Sequence, residues 1–175
     1  MENLEEEIKK IISDLSLKEQ MSVSFAVANI VMKTQAELQD YVGSKKFENK
    51  YKDAEENIDT QITCIKETVE YGLDKFTKAY DKSKELKVLG EKSGEVKKYV
   101  VNAVGMVLQL GLVQEYLPKY LIVKTEELPK NISNTKKMEK IKEYVSEFAV
   151  KIGAGKEIEQ VLQFMSVMPV MNDFY

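Results

Sequence analysis

Residues 20–32, QMSVSFAVANIVM, and residues 99–114, YVVNAVGMVLQLGLVQ, contain no charged side chain. Charged residues make up 31% of the whole chain, so two uncharged runs of this length stand apart from the rest of the sequence. A helix that is apolar on most sides is typical of a protein core. We therefore expect two central apolar helices, over about 17–42 and 95–117, that are buried on most sides.

Outside these runs the apolar residues recur every three or four positions, and no segment of strand length alternates apolar and polar residues. This spacing is typical of α-helices with one apolar face. It predicts one long amphipathic helix over about 45–85. The apolar stripe of that helix comprises Ile58, Ile62, Ile65, Val69, Leu73, Phe76 and Tyr80. The sequence thus predicts an all-α, single-domain bundle of about six helices over residues 1–175.

Two sites carry the signals of a helix start. Ser16 and Glu19 have the spacing of a capping box, in which each side chain satisfies a backbone donor of the other residue. Ser133 or Asn134 can cap a later helix in the same manner. We expect helices to begin at both places.

Prolines predict where two of the helices end. A proline inside a helix removes one backbone hydrogen bond, so we expect Pro118 to interrupt the second central helix and Pro169 to end the last helix. Residues 118–132 would then form an irregular connection with a short element of its own. Residues 166–175 would form an apolar C-terminal tail.

The composition excludes several kinds of chemistry. The chain has no histidine, no arginine, no tryptophan and a single cysteine, Cys64. Without histidine there is no Ser–His–Asp triad and no histidine-bearing metal site. One cysteine can form neither an intramolecular disulfide nor a cysteine-based zinc site. We expect no metal and no cofactor, no residue is assigned a catalytic role, and the composition favours a protein that is not an enzyme.

The charge pattern argues against specific nucleic-acid recognition. The net charge is −3, and all 26 cationic side chains are lysines. Proteins that bind nucleic acids usually carry a basic surplus, and the bidentate reading of guanine is typical of arginine. Only residues 130–142 are locally basic, with five lysines and one glutamate. Sequence-independent binding through these lysines is the alternative.

The sequence gives no sign of export or of membrane insertion. Four glutamates precede residue 8, which is the reverse of a secretory signal. Residues 99–114 fall short of the roughly 20 apolar residues that span a bilayer, and they include Asn102 and Gln109. We expect a cytoplasmic protein without a membrane span.

Polar side chains within the uncharged runs form two pairs, Ser22 with Asn29 and Asn102 with Gln109. The members of each pair are seven residues apart and therefore share a helix face. If the two faces meet, the four side chains form either a polar layer that fixes the helix register or the lining of a small-ligand pocket. Both interpretations stay open.

The C-terminal residues form a second candidate site. Methionine is a flexible apolar residue that adapts to binding partners. Either these side chains pack on their own chain, or they contact another subunit. The residues concerned are Met165, Met168, Met171, Phe174 and Tyr175.

These observations favour a non-catalytic helical interaction or structural subunit that self-associates or joins a complex with another protein. The alternative is a small-ligand binder or an enzyme that uses an internal polar pocket. For an enzyme, Glu115 and Tyr116 are the first acid–base residues to test, because they lie at the charged end of the second uncharged run.

Overall fold

A computed structural model describes the backbone of residues 2–172 and the side chains of residues 6–166. That part of the chain contains helices and turns and no strand, which confirms the predicted all-α class. Seven α-helices and one 3₁₀ segment follow one another along the chain. They are α1 (Glu2–Ile11), α2 (Leu17–Val42), α3 (Lys45–Lys50), α4 (Ile58–Lys82), the 3₁₀ segment (Glu85–Lys92), α5 (Ser93–Glu126), α6 (Asn134–Lys151) and α7 (Lys156–Asn172).

Both predicted helix starts are confirmed. At the start of α2 the Ser16 Oγ accepts a hydrogen bond from the Glu19 amide at 3.2 Å, and a Glu19 carboxylate oxygen accepts one from the Ser16 amide at 3.2 Å. At the start of α6 the Ser133 Oγ accepts from the Lys136 amide at 3.3 Å. These side chains satisfy backbone donors that have no partner within the helix.

The expected long helix over 45–85 is wrong in its extent. Residues 51–56 form turns, and these turns and Asn57 separate the short helix α3 from α4. Asn57 explains where α4 begins, because its Oδ1 accepts a hydrogen bond from the Thr60 amide at 3.1 Å. Asparagine is a favourable N-cap residue, so it stabilises a new helix start within a segment whose apolar spacing is otherwise continuous.

The expected irregular connection over 118–132 is also wrong, because α5 continues through Pro118 to Glu126 and only residues 127–133 are non-helical. Pro118 and Gln114 are both exposed. Water can therefore satisfy the Gln114 carbonyl that loses its helical donor at Pro118. Pro169 likewise lies within α7 instead of ending it.

The chain forms two compact units, and the expectation of a single domain stays a prediction. The first unit comprises Met1–Lys50 and Thr68–Leu108. Its core is apolar, and the Tyr80 hydroxyl at the edge of this core donates a hydrogen bond to the Ser93 carbonyl at 2.8 Å. Buried core residues of this unit include Ile12, Val23, Ala26, Ile30, Phe76, Leu86, Leu89, Val96 and Val100.

The second unit comprises Tyr51–Glu67 and Gln109–Tyr175. Helices α6 and α7 lie against each other, and the Gln163 amide nitrogen donates to the Lys142 carbonyl and to the Ser146 hydroxyl, each at 3.0 Å. Its buried core residues include Ile65, Val113, Leu117, Tyr120, Ile141, Val145, Phe148, Ile158 and Leu162.

One described helical stretch, Glu85–Glu126, is long and apolar enough to cross a membrane, and 33% of its most apolar part is buried inside the structure. Core helices of soluble proteins reach the same length and hydropathy. The expectation of no membrane span therefore stays a prediction.

Candidate interaction surface

Helix α2 packs on the first unit through one face only. Its buried residues are Val23, Ala26, Ile30 and Thr34, which recur every three or four positions. The helix has the predicted bounds, but the expectation that residues 20–32 are buried on most sides is wrong. The neighbouring helices of this unit cover one side of α2, and the other side faces outward.

The outward face of α2 is apolar. Leu17 is 73% exposed, Phe25 is 66% exposed and Met32 is 67% exposed, and Met21 and Ala28 between them are exposed as well. The spacing of four, four, three and four residues places these five side chains on one face of the helix. We call Leu17, Met21, Phe25, Ala28 and Met32 the α2 stripe. It extends over about 22 Å, given the rise of 1.5 Å per residue.

A groove of about 760 Å³ runs beside the α2 stripe, between α2 and α4. Phe25 belongs to both the stripe and the groove. Ala26 and Ile30 of α2 lie in the groove and are buried, whereas Ala79 of α4 is half-buried. The lower part of the groove is therefore apolar and recessed below the surface of the two helices.

Four lysines line this groove, Lys33 on α2 and Lys75, Lys78 and Lys82 on α4. Lys78 donates to Asp74 at 2.8 Å, and this hydrogen bond raises the pKa of Lys78. The other three lysines form no ion pair with any described residue. Lys75 lies over the Tyr71 ring, with its Nζ 5.5 Å from the ring centroid.

Two carboxylates, those of Glu37 and Glu85, also line the groove. Hydrogen bonds from its own backbone amide and from the Ser83 hydroxyl lower the pKa of Glu85, so this carboxylate is ionised at neutral pH. The four lysines and two glutamates that line the groove sum to +2, and Asp74, which pairs with Lys78, reduces the local charge to about +1. This local positive charge contrasts with the net charge of −3 of the whole chain.

The four predicted polar side chains do not form a buried layer. Ser22 and Asn29 are exposed and line the groove beside the α2 stripe, and Asn102 is exposed on α5. Gln109 is half-buried in the second unit, where its amide nitrogen donates to the Ile152 carbonyl at 3.1 Å. The register-layer interpretation is wrong for Ser22, Asn29 and Asn102, because an exposed side chain exchanges hydrogen bonds with water.

Of the predicted C-terminal contact residues, Met165 is half-buried on α7. The side chains of Met168 and Met171 lie outside the described residues, as do Phe174 and Tyr175. Phe164, next to Met165, is 69% exposed. The C-terminal contact stays a prediction.

Glu115 and Tyr116, the first residues to test for acid–base chemistry, lie in two different environments. Tyr116 is buried in the second unit and accepts a hydrogen bond from the Cys64 thiol at 3.3 Å, whereas Glu115 is exposed. Burial raises the pKa of Tyr116, so its hydroxyl is neutral at physiological pH. The two side chains thus do not meet in a common cleft.

Sequence reasoning missed a buried polar residue, Gln61, in the second unit. Its side chain is fully buried, and neither amide atom has a hydrogen-bond partner. The Tyr120 hydroxyl is likewise buried without a partner, and burial raises the pKa of Tyr120 to about 12. The spacing of Gln61 from Cys64, Ile65 and Thr68 is the sequence signal that places it on the buried face of α4.

The described residues contain no group of three or more cysteine, aspartate or glutamate side chains that could hold a metal ion. Comparisons with protein-family models, with curated proteins and with solved structures find no match to this chain.

Proposed function

We propose that this protein is a non-catalytic interaction subunit that binds a protein partner through the α2 stripe. The observation that carries the proposal is the outward face of α2, where Leu17, Phe25 and Met32 are each more than 60% exposed and no charged residue interrupts residues 20–32. In a chain with 31% charged residues, a helix face left in water would be expected to carry charge.

The size of the hydrophobic contribution supports a moderate affinity. Full burial of a leucine, methionine or phenylalanine side chain contributes about 1.5–3 kcal/mol. The four large side chains of the stripe are 52–73% exposed, so covering them would contribute less than the roughly 6–12 kcal/mol of full burial, against an association cost of about 4–15 kcal/mol. The α2 stripe accounts for a reversible complex, and contacts beside it would determine the specificity.

The test compares the native protein with the variant Phe25→Gln/Met32→Gln. Both positions are exposed, and glutamine is a good helix former, so the fold should be retained. We expect the native protein to sediment above 20.1 kDa at micromolar concentration, or to copurify with a stoichiometric partner, and we expect the variant to lose this association.

The matched control is Val150→Gln on α6, an apolar side chain that is 77% exposed and lies outside the stripe. This variant should keep the association. A native protein that sediments as a monomer without a stoichiometric partner would overturn the proposal, and so would an association that the α2 double variant retains.

A further inference from the structure

Given the proposed function, on which this inference rests, the chemistry of the surface beside the α2 stripe specifies the partner. We infer that the stripe and its groove bind an amphipathic helix that carries apolar residues along one face and carboxylates along the adjoining edge. The apolar residues of this helix cover Phe25 and Met32, and its carboxylates pair with Lys33, Lys75 and Lys82.

The charges of the groove indicate that the partner helix has an acidic edge. Lys33, Lys75 and Lys82 line the groove without a carboxylate partner among the described residues. These lysines line the same groove as Ser22 and Asn29. The Ser22 and Asn29 side chains can donate hydrogen bonds to a neighbouring polar edge or accept them from it. A partner that buries Phe25 against this groove brings its own edge next to these lysines, so carboxylates at that edge form favourable pairs and lysines there are repelled.

The shape of the surface favours a helix over a membrane. Ala26 and Ile30 are buried and lie within the groove, so only side chains that project from a partner can reach them. The stripe beside the groove is about 22 Å long, which corresponds to four turns of a helix. A helix that places apolar residues at positions i, i+4, i+7 and i+11 matches both features.

A second copy of this chain is a poorer match. A second copy brings to this surface the same four groove lysines with only two groove glutamates, Glu37 and Glu85. Two copies paired through this face would bring two grooves with an excess of positive charge together while covering the apolar residues beside them. The charge pattern therefore selects a different, acidic segment.

The test uses two synthetic helical peptides of about 20 residues with the same leucines at i, i+4, i+7 and i+11. One carries glutamates along one edge of the leucine face, and the other carries lysines at the same positions. Binding of each fluorescein-labelled peptide to the full-length protein is measured by fluorescence anisotropy at low and at high salt. We expect the acidic peptide to bind about tenfold more tightly at low salt, because three exposed ion pairs each contribute a factor of a few.

Two variants separate the charge from the apolar contact. Lys33→Gln/Lys75→Gln/Lys82→Gln should abolish the preference for the acidic peptide and leave weak binding of both peptides. Phe25→Gln/Met32→Gln should abolish binding of both. Equal binding of the two peptides to the native protein, or no binding of the acidic peptide at millimolar concentration, would overturn the inference.

Other occupants give different results. A dimer that requires Phe25 and Met32 and that the acidic peptide does not displace would show that a second copy covers the stripe. The protein could instead bind vesicles of phosphatidylserine and phosphatidylcholine through the groove lysines and bind neither peptide. That result would show that an anionic membrane covers the stripe. The dimer would overturn the acidic helix but not the proposed function, whereas a monomeric native protein without any partner would overturn both.

Discussion

At the scale of a single residue, Gln61 lowers the stability of the fold, since its buried amide nitrogen and oxygen both lack hydrogen-bond partners. A buried polar group without a partner destabilises a fold by about 1–3 kcal/mol, whereas an apolar group of similar shape avoids this cost. Gln61 was missed from the sequence although its spacing from Cys64, Ile65 and Thr68 places it on the buried face of α4, and spacing alone does not state whether a buried amide finds a partner.

We predict that Gln61→Met raises the free energy of unfolding by about 1 kcal/mol, because methionine has a similar shape and no unpaired polar atom. Urea denaturation followed by circular dichroism measures this change. The control is Gln109→Met, which should lower the free energy of unfolding by about 1 kcal/mol, since the Ile152 carbonyl loses its donor. A loss of stability in Gln61→Met would instead reveal a polar group bound to the amide.

Tyr116 and Tyr120 give the fold a predicted sensitivity to alkaline pH. Burial raises the pKa of both hydroxyls above the ordinary value of 10.0, and that of Tyr120 reaches about 12. The folded state therefore holds these protons after the unfolded state has released them. Stability from this source is fully present below pH 10 and is lost as the pH rises from 10 to about 12.

Unfolding free energies measured between pH 9 and 12 should accordingly fall more steeply in the native protein than in Tyr120→Phe. The ultraviolet absorbance of the same samples reports tyrosine ionisation. Identical pH profiles for the two proteins would contradict the raised pKa of Tyr120.

At the scale of helices, the sequence predicts starts better than ends. Ser16 and Ser133 were recognised because a capping side chain acts within three residues of its own position. Asn57 was missed, since the apolar spacing runs through it without a break. Pro118 misled the prediction because the cost of a proline depends on whether the freed carbonyl faces water, which is a property of the packed structure.

Two glycines should respond to alanine in opposite ways. Gly111 lies within α5 with open space around the position of a Cβ atom, so Gly111→Ala should stabilise the protein by about 1 kcal/mol through helix propensity. Gly153 follows α6 with a φ of 71°, a conformation that alanine adopts only with strain, so Gly153→Ala should destabilise it by about 1 kcal/mol. Thermal unfolding of both variants tests this contrast, and the same sign of change in both would contradict it.

The two faces of α2 show why the candidate surface was only partly predictable. Residues 20–32 are uncharged on every side, so the sequence marks the helix as unusual without showing which face packs on its own chain. The lysines of the groove lie on α2 and on α4, more than forty residues further along the chain. Their proximity results from tertiary packing, which the helical spacing of either segment does not encode.

At the scale of the whole molecule, the spacing of apolar residues was sufficient to predict the all-α class because helical spacing persists along the chain. The same spacing did not predict that the chain divides into two compact units. Helices α4 and α5 each contribute residues to both compact units, which a pattern read one helix at a time does not predict.

The composition predicts weak binding to nucleic acids. The net charge is −3, and Lys140 of the locally basic segment pairs with Glu143 at 3.0 Å. We expect no submicromolar binding to single- or double-stranded DNA or RNA at about 150 mM salt in fluorescence anisotropy. Tight binding that Lys136→Gln/Lys137→Gln/Lys140→Gln weakens would contradict this expectation.

The exposure of the α2 stripe also makes it vulnerable to oxidation. Among the methionines whose side chains the structure describes, Met21 and Met32 are exposed, whereas Met106, Met138 and Met165 are half-buried. Oxidation to the sulfoxide would convert the two exposed side chains from apolar to polar without disturbing the core, and sulfoxide reductases can reverse it. Peroxide should therefore modify Met21 and Met32 before Met106, Met138 and Met165 in the free protein, and a bound partner should protect them, so the oxidative state of the cell would set how much of the protein can dock.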